Sequence, residues 1–273
     1  MVSTVRSSVR TIKNLFPNPT KFQSTISNTR IKKPGTVIDE SEYSYFEYKF
    51  LQAKSEWALW KLNRSYSRHS FEPDLSERYI YFPLHYQPEL TTSPQGGIYS
   101  HQFLVANLLS CYVPDGWKIY IKEHPLQFSE REAVRARDRY HYQHLQKLDS
   151  VKLINMSADQ VGLIDNAEAV ATITGTSGWE AVVRGTPAIV FGNAWYRRCG
   201  GVFYTPYKED LDSAISDIEA GYHPQKSDVK KFIKALVSVG YEGYVLGGEQ
   251  KAYPRIDSEN NVRGIVSLLE SHI

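Results

Sequence analysis

Ala169-Val170-Ala171-Thr172-Ile173-Thr174-Gly175-Thr176-Ser177-Gly178-Trp179-Glu180 is the stretch that decides the fold. Residues 169–173 form a short apolar run with the β-branched content of a buried strand. Residues 174–178 are all small, as a tight turn requires, and a helical pattern then runs from Gly178 to Arg184. Strand, turn and helix in immediate succession are the unit from which parallel sheets are built. Working outward, strand-like runs recur at Tyr79 to Phe82, Lys118 to Ile121, Val151 to Ile154 and Ala188 to Phe191. Helical stretches fall between them at Ser100 to Ser110, Ser129 to Leu148 and Ala158 to Asn166. The alternation predicts an α/β fold: a Rossmann-like parallel sheet with helices on both faces. Ligands of such sheets bind at the carboxyl ends of the strands, where the strand order reverses.

The rest of the chain sorts by composition. Residues 1–38 hold seven Lys or Arg and no Asp or Glu, and read as a basic tail or linker. Val2, Val5, Val9, Ile12 and Phe16 recur there at helical spacing, which would suit contact with an anionic membrane surface. A solvated basic arm and a transit peptide share that composition. Residues 39–74 read as a helical lead-in, with aromatic and charged residues mixed at helical spacing, and residues 75–273 as the Rossmann-like domain with carboxyl-terminal helices. Beyond Phe191 the alternation fades, and helices are expected near Leu211 to Ala220, Ser227 to Val239 and Asn261 to Ser271.

With 32 basic and 30 acidic residues among 273, the chain lacks the field that steers proteins to nucleic acid, and anion recognition must be local. Cys111 and Cys199 are too few for a disulfide framework and have no zinc spacing, which fits a reducing, cytosolic setting. No apolar run is long enough to span a bilayer.

Four segments carry chemistry. In Lys122-Glu123-His124-Pro125, Pro125 ends the strand and disfavours helical backbone at His124, placing the imidazole at the crevice mouth. His124 there can donate to a phosphate oxygen and stabilise a departing nucleotide, with Lys122 two residues back adding a cation. Alternatively, both residues simply end a strand at the surface. In the second segment, the turn presents the unpaired amides of a helix amino terminus, Gly175 and Gly178 permit close approach, and Thr176 and Ser177 add hydroxyls. Ser177 and Glu180 also have capping-box spacing, which competes with a role for Glu180 on a ribose diol. The turn lacks the Lys of a P-loop and a full GxGxxG, which disfavours ATP hydrolysis and a dinucleotide site.

The third segment, Pro83-Leu84-His85-Tyr86-Gln87-Pro88-Glu89 with Gly96-Gly97 beyond it, reads as an ordered loop. Gln87 can address a sugar hydroxyl or an acceptor, and Glu89 is placed to act as general base; solvent-facing turn residues are the alternative. The fourth contains Arg197 and Arg198, forked donors for an anion or exposed loop charges. Asp210-Leu211-Asp212 opens a predicted helix, so capping explains it better than metal binding.

Taken in order, Phe82 to Glu89, Gly96 to Tyr99, Lys122 to Pro125 and Gly175 to Ala181 resemble bacterial capsular-polysaccharide biosynthesis proteins, and among them the β-Kdo transferases that use CMP-Kdo. The resemblance covers roughly residues 75 to 205. It implies contacts from His124, Pro125, Thr176 and Ser177 to the nucleotide phosphate, and assigns Gln87 and Pro88 to a Gln-Pro motif. It further implies the donor half of a GT-B glycosyltransferase acting in capsule or other surface polysaccharide synthesis. The expected ligands are a CMP-sugar donor and a glycan or glycolipid acceptor, with no metal or other cofactor and with peripheral contact to the inner face of the membrane. A GT-B enzyme has two Rossmann-like halves and this sequence has one alternating run, so a second such domain or chain is an expected partner. A non-catalytic module that binds nucleotide or glycan, and a UDP-sugar transferase or epimerase, remain as alternatives.

Overall fold

The computed structural model describes residues 45–89, 92–130, 133, 135–138, 140–240, 244 and 257–270. The basic tail at residues 1–38 lies outside the described residues. Among those described, seven strands form one fully parallel sheet: β1 (Ser70–Phe71), β2 (Tyr79–Pro83), β3 (Lys118–Lys122), β4 (Val151–Ile154), β5 (Ala169–Thr172), β6 (Ala188–Val190) and β7 (Val202–Tyr204). Their spatial order is β1-β4-β3-β2-β5-β6-β7. The chain moves outward from β2 through β3 to β4, then returns to lay β5 on the other side of β2. The strand order therefore reverses between β2 and β5, and the ligand crevice of such a sheet opens there.

Alternation along the strands assigns the two faces. Ile80, Phe82, Ile119, Ile121, Leu153, Ala171 and Ile189 enter one core with Val105 and Leu109 of α2 (Gln102–Tyr112) and Leu211 and Ile215 of α6 (Lys208–Glu219). Tyr79, Tyr81, Tyr120 and Val170 face the other way, toward Leu163 and Ile164 of α4 (Gln160–Asp165) and Ala181 of α5 (Thr176–Arg184). Tyr79 and Tyr120 stack there at 4.2 Å between ring centroids. The Tyr79 hydroxyl is satisfied by the Leu163 carbonyl at 2.9 Å, as a buried phenol must be. Helices thus cover both faces, as the sequence pattern predicts.

Residues 45–69 form a single helix, α1 (Tyr45–His69), whose Leu62 and Tyr66 join the main core. Its end passes directly into β1. β1 and β7 are absent from the sequence reading because both are edge strands of two and three residues and neither is fully buried, unlike the equally short but fully buried β6. The helix expected over 129–148 also fails. Among the described residues of that interval only α3 (His141–Leu145) is α-helical, with 3-10 backbone at 133 and 135, and the chain turns inward to bury Arg137. Helices α7 (Lys226–Val239) and α8 (Ser258–Glu270) fall close to their predicted positions, as α6 does. Asp210 accepts the Tyr207 amide in a capping box at the start of α6, which accounts for the Asp-Leu-Asp triplet.

Candidate functional site

The carboxyl ends of β2, β3 and β5 converge on the crevice. Past β2, His85 is buried between neighbours from three segments. Its N–H donates to Gln102 Oε1 at 2.8 Å and its carbonyl accepts from Gln102 Nε2 at 3.0 Å. His85 Nε2 accepts the Ile173 N–H at 3.3 Å and lies 3.1 Å from Thr172 Oγ1. An imidazole nitrogen that receives a backbone N–H carries no proton, so the proton sits on Nδ1. Nδ1 faces Glu89 Oε2 at 3.7 Å. The contact with His85 lowers the Glu89 pKa most, burial opposes it and the Thr92 hydroxyl adds to the lowering, and the balance holds the carboxyl below the usual range.

Gly175 occupies the first position of the turn for a steric reason. A Cβ there would lie 2.8 Å from Thr172 Oγ1 and 3.0 Å from His85 Cε1, so only glycine lets the turn press against the histidine. The turn is held a second time by Tyr196, whose hydroxyl donates to the Gly175 carbonyl. A Cβ on Gly178 would strike that hydroxyl. Thr176 and Ser177, the first two residues of α5, precede the region where intrahelical carbonyls become available. Thr176 is exposed at the mouth and Ser177 is buried.

The capping box proposed for Ser177 and Glu180 does not form. α5 starts two residues earlier than a Ser177 cap requires, and its cap is Gly175, which has no side chain to close such a box. Glu180 is exposed and accepts instead from Gln160 Nε2 at 3.3 Å. Gly185, at φ 100°, ends the helix in the left-handed conformation.

Past β3, His124 caps a short 3-10 turn (Pro125–Phe128), with Nδ1 accepting the Leu126 N–H at 3.2 Å. That bond leaves Nε2 as the protonated nitrogen. Partial burial lowers the His124 pKa against the pull of Glu123 and Glu89, which favours the neutral ring. The imidazole sits 6.0 Å from the Tyr86 ring, which joins the His124 segment to the β2 loop. Lys122 does not project freely beside it. Its Nζ donates to the Ala158 carbonyl at 2.6 Å, and burial lowers its pKa.

Glu123 fixes His124 from behind. It accepts the His124 N–H at 2.8 Å, two bonds from Arg137 and the Tyr142 hydroxyl at 2.8 Å. Its own N–H donates to the Tyr66 hydroxyl at 3.1 Å, and Tyr66 in turn donates to the Ile154 carbonyl. Sequence reasoning missed Glu123, Arg137, His85 and Tyr196. The first lay inside a quoted motif, but its partner is 14 positions away in a segment that looks helical.

Gln87 is clamped through its backbone, donating to Gln127 Oε1 at 3.0 Å and accepting from Gln127 Nε2 at 3.2 Å. The Gln87–Pro88 bond is cis. Gln87 Nε2 is buried with no hydrogen-bond partner among the described residues, and so is His141 Nε2. Both residues line a cavity of about 480 Å³ together with Gln102, Arg135 and Ser100. Arg197 lies away from this group, over the Tyr204 ring at 5.9 Å. Among the described residues no cluster of His, Cys, Asp or Glu could hold a metal ion, and no helix is long and apolar enough to cross a membrane.

The arrangement can receive an oxyanion between the first turn of α5 and His124 Nε2, with a carboxylate nearby to accept a proton. Comparison with solved structures finds remote likenesses. A β-Kdo 2,7 transferase, KpsC of Thermosulfurimonas dismutans, is 17% identical with a TM-score of 0.39, over 62% of this chain and 57% of that one. A β-Kdo 2,4 transferase of the same KpsC is 20% identical with a TM-score of 0.36, over 56% and 48%. A UDP-GlcNAc 2-epimerase of Methanocaldococcus jannaschii is 16% identical with a TM-score of 0.41, over 65% and 49%. The chain spans about half the length of these structures. At such scores they add nothing to the chemistry of the site. No curated protein matches the sequence. The family of capsule polysaccharide biosynthesis proteins matches residues 46–204, which include every strand of the sheet and all three motif-bearing strand ends. The chain belongs to the capsule polysaccharide biosynthesis protein family.

Proposed function

We propose that the chain is the donor-binding half of a glycosyltransferase that moves an acidic, Kdo-like sugar from its CMP ester to a surface glycan or glycolipid. The observation that supports this most is the junction at the strand-order reversal, where Gly175 packs on His85 and Tyr86 lies against His124. It gathers an amide-rich helix start, an imidazole N–H and a carboxylate at one crevice. In the proposed step an acceptor hydroxyl attacks the anomeric carbon as the bond from that carbon to the CMP phosphate oxygen breaks. Glu89, ionised at neutral pH, takes the hydroxyl proton. His124 Nε2–H and the amides of Thr176 and Ser177 receive the charge that develops on the departing phosphate. Glu180 holds the ribose, and the Gln87 amide addresses acceptor or sugar hydroxyls. Lys122 contributes potential from the wall rather than a direct contact. The scheme calls for no metal. It places the chain at the cytoplasmic face of a membrane, with acceptor contacts completed by a second domain or chain.

Thermal shift with CMP, UDP, GDP and ADP, on the wild type and on His124→Ala, tests the reading. Selective stabilisation by CMP that is lost in the variant supports it, because a ligand of the native state raises the melting temperature. Preference for UDP transfers the donor to the uridine class. CMP binding without transfer in the presence of acceptor favours a non-catalytic module. No response to any nucleotide overturns it.

A further inference from the structure

The outward side of α1 is unlike the rest of the surface. Leu59, Leu62 and Tyr66 face the core, and they are the buried residues of this 25-residue helix. Diametrically opposite, at 100° per residue, runs a stripe that begins with Phe46 and Phe50 and continues through Trp57 and Trp60. Phe50, Trp57 and Trp60 are 62%, 57% and 55% exposed, values unusual for side chains of this size. Lys61, Arg64 and Arg68 follow the same stripe and are exposed, and exposed Lys54 lies to one side of it. Two of these cations sit over the stripe's own rings, Lys61 Nζ 3.4 Å from the Trp57 centroid and the Arg64 guanidinium 5.3 Å from that of Trp60. Glu47 and Glu56 fall about a quarter turn to either side of the line. The stripe borders an open groove of about 920 Å³ to which Lys61, Arg64 and Arg68 also contribute.

We infer that this face of α1 docks on an anionic lipid surface. The rings supply amphipathic area of the kind that settles at headgroup depth, and the cations supply attraction to anionic headgroups. A second copy is disfavoured by charge, since pairing the stripe with itself sets cations against cations. The basic residues 1–38 are disfavoured on the same ground. Tyr66, on the inner side of the same helix, holds the Glu123 N–H next to His124. A docked α1 therefore brings the His124 crevice within roughly a helix diameter, ~10 Å, of the lipid surface. The inference stands on the stripe and is independent of the identity of the nucleotide.

The test is co-sedimentation of the full chain with vesicles of phosphatidylcholine alone and of phosphatidylcholine mixed with phosphatidylglycerol, at low and high salt. Binding confined to the mixed vesicles, weakened by salt, and reduced about tenfold or more in K61E/R64E/R68E is expected. Residues 1–38 are present in every sample, so the loss reports on α1. Trp57→Phe/Trp60→Phe keeps aromatic character and charge, and should abolish quenching of tryptophan fluorescence by brominated acyl chains while the melting temperature is unchanged. Equal vesicle binding by the charge-reversed chain overturns the inference. So does full competition by inorganic phosphate, which marks a free-anion site, or a dimer in light scattering that the same variant dissolves without any vesicle binding.

Discussion

Glu123 and Arg137 meet in the interior through two hydrogen bonds, Nε to Oε2 at 3.0 Å and Nη2 to Oε1 at 3.3 Å, with both side chains almost wholly buried. A third bond from the Arg137 guanidinium, 3.0 Å long, reaches the His85 carbonyl. One buried pair thus joins the backbones of the two loops that carry His85 and His124.

Removing one member leaves the other charged and unpaired in the core. Glu123→Gln and Arg137→Met should each cost about 3–5 kcal/mol in chemical denaturation. The double replacement should cost less than the sum, because it strands no charge. Additive losses would argue against direct pairing.

Glu89 is proposed as the base, and its depressed pKa keeps it ionised at neutral pH. Glu89→Gln should lower the rate of sugar transfer by about 10²–10⁴ while CMP affinity stays within a few fold. In the wild type the rate should fall on the acid side, as the carboxylate takes up a proton. A matched loss of CMP affinity would make Glu89 a binding group instead.

Burial lowers the His124 pKa, so the free ring is neutral at pH 7. An oxyanion beside Nε2 favours the imidazolium and raises that pKa, so binding takes up a proton, which enters at Nδ1 and displaces the Leu126 N–H from it. The advantage in CMP affinity of wild type over His124→Ala should therefore grow as pH falls from 7.5 to 6, as roughly measured by titration calorimetry in buffers of different ionisation heat. An advantage that is flat with pH would place the phosphate elsewhere.

His141 gives a stability signature. Burial, with Arg137, His101 and His144 nearby, pushes its pKa down to about 3. Between about pH 6.5 and 3 the unfolded chain holds a proton on this residue that the native chain does not, so stability rises with pH through that window and is lost as pH falls. The contribution approaches about 1.4 kcal/mol per pH unit. His141→Phe should flatten the dependence of stability on pH between about 6 and 5, measured by urea titration.

Gly175→Ala should destabilise the chain by about 1–3 kcal/mol, since the new Cβ displaces Thr172 or His85. Because the same shift disturbs the turn, CMP affinity should fall with stability. Gly97→Ala, whose Cβ meets nothing within 4 Å, tests a glycine without that packing constraint, and its cost should come from its φ of 53° alone, with CMP binding intact.

The sheet could be read from sequence because its central strands are apolar, β-branched and separated by helix-length intervals. β1 and β7 could not, being short edge strands that are not fully buried. The 129–148 interval was misread because Glu130, Arg135 and Ala136 favour helix while the decisive fact, the burial of Arg137 against Glu123, is a tertiary one. At the site, His124-Pro125 and the turn at 174–178 announce themselves through local chemistry. His85 and Tyr196 do not, because their roles exist only through partners on distant segments. Glu180 shows the converse. Its spacing from Ser177 matches a local motif, yet the helix starts earlier and the carboxylate turns to Gln160.

The hydrogen bond between His85 and Thr172 spans 87 positions of sequence, because β3 and β4 are built out from β2 before β5 returns to it. Closing so long a loop is entropically late, and it follows formation of the shorter β2–β3 and β3–β4 pairings. The crevice is consequently among the last features to appear during folding. A nascent or partly folded chain would present α1 and half a sheet, but no crevice at the strand-order reversal before the rest of the protein is in place.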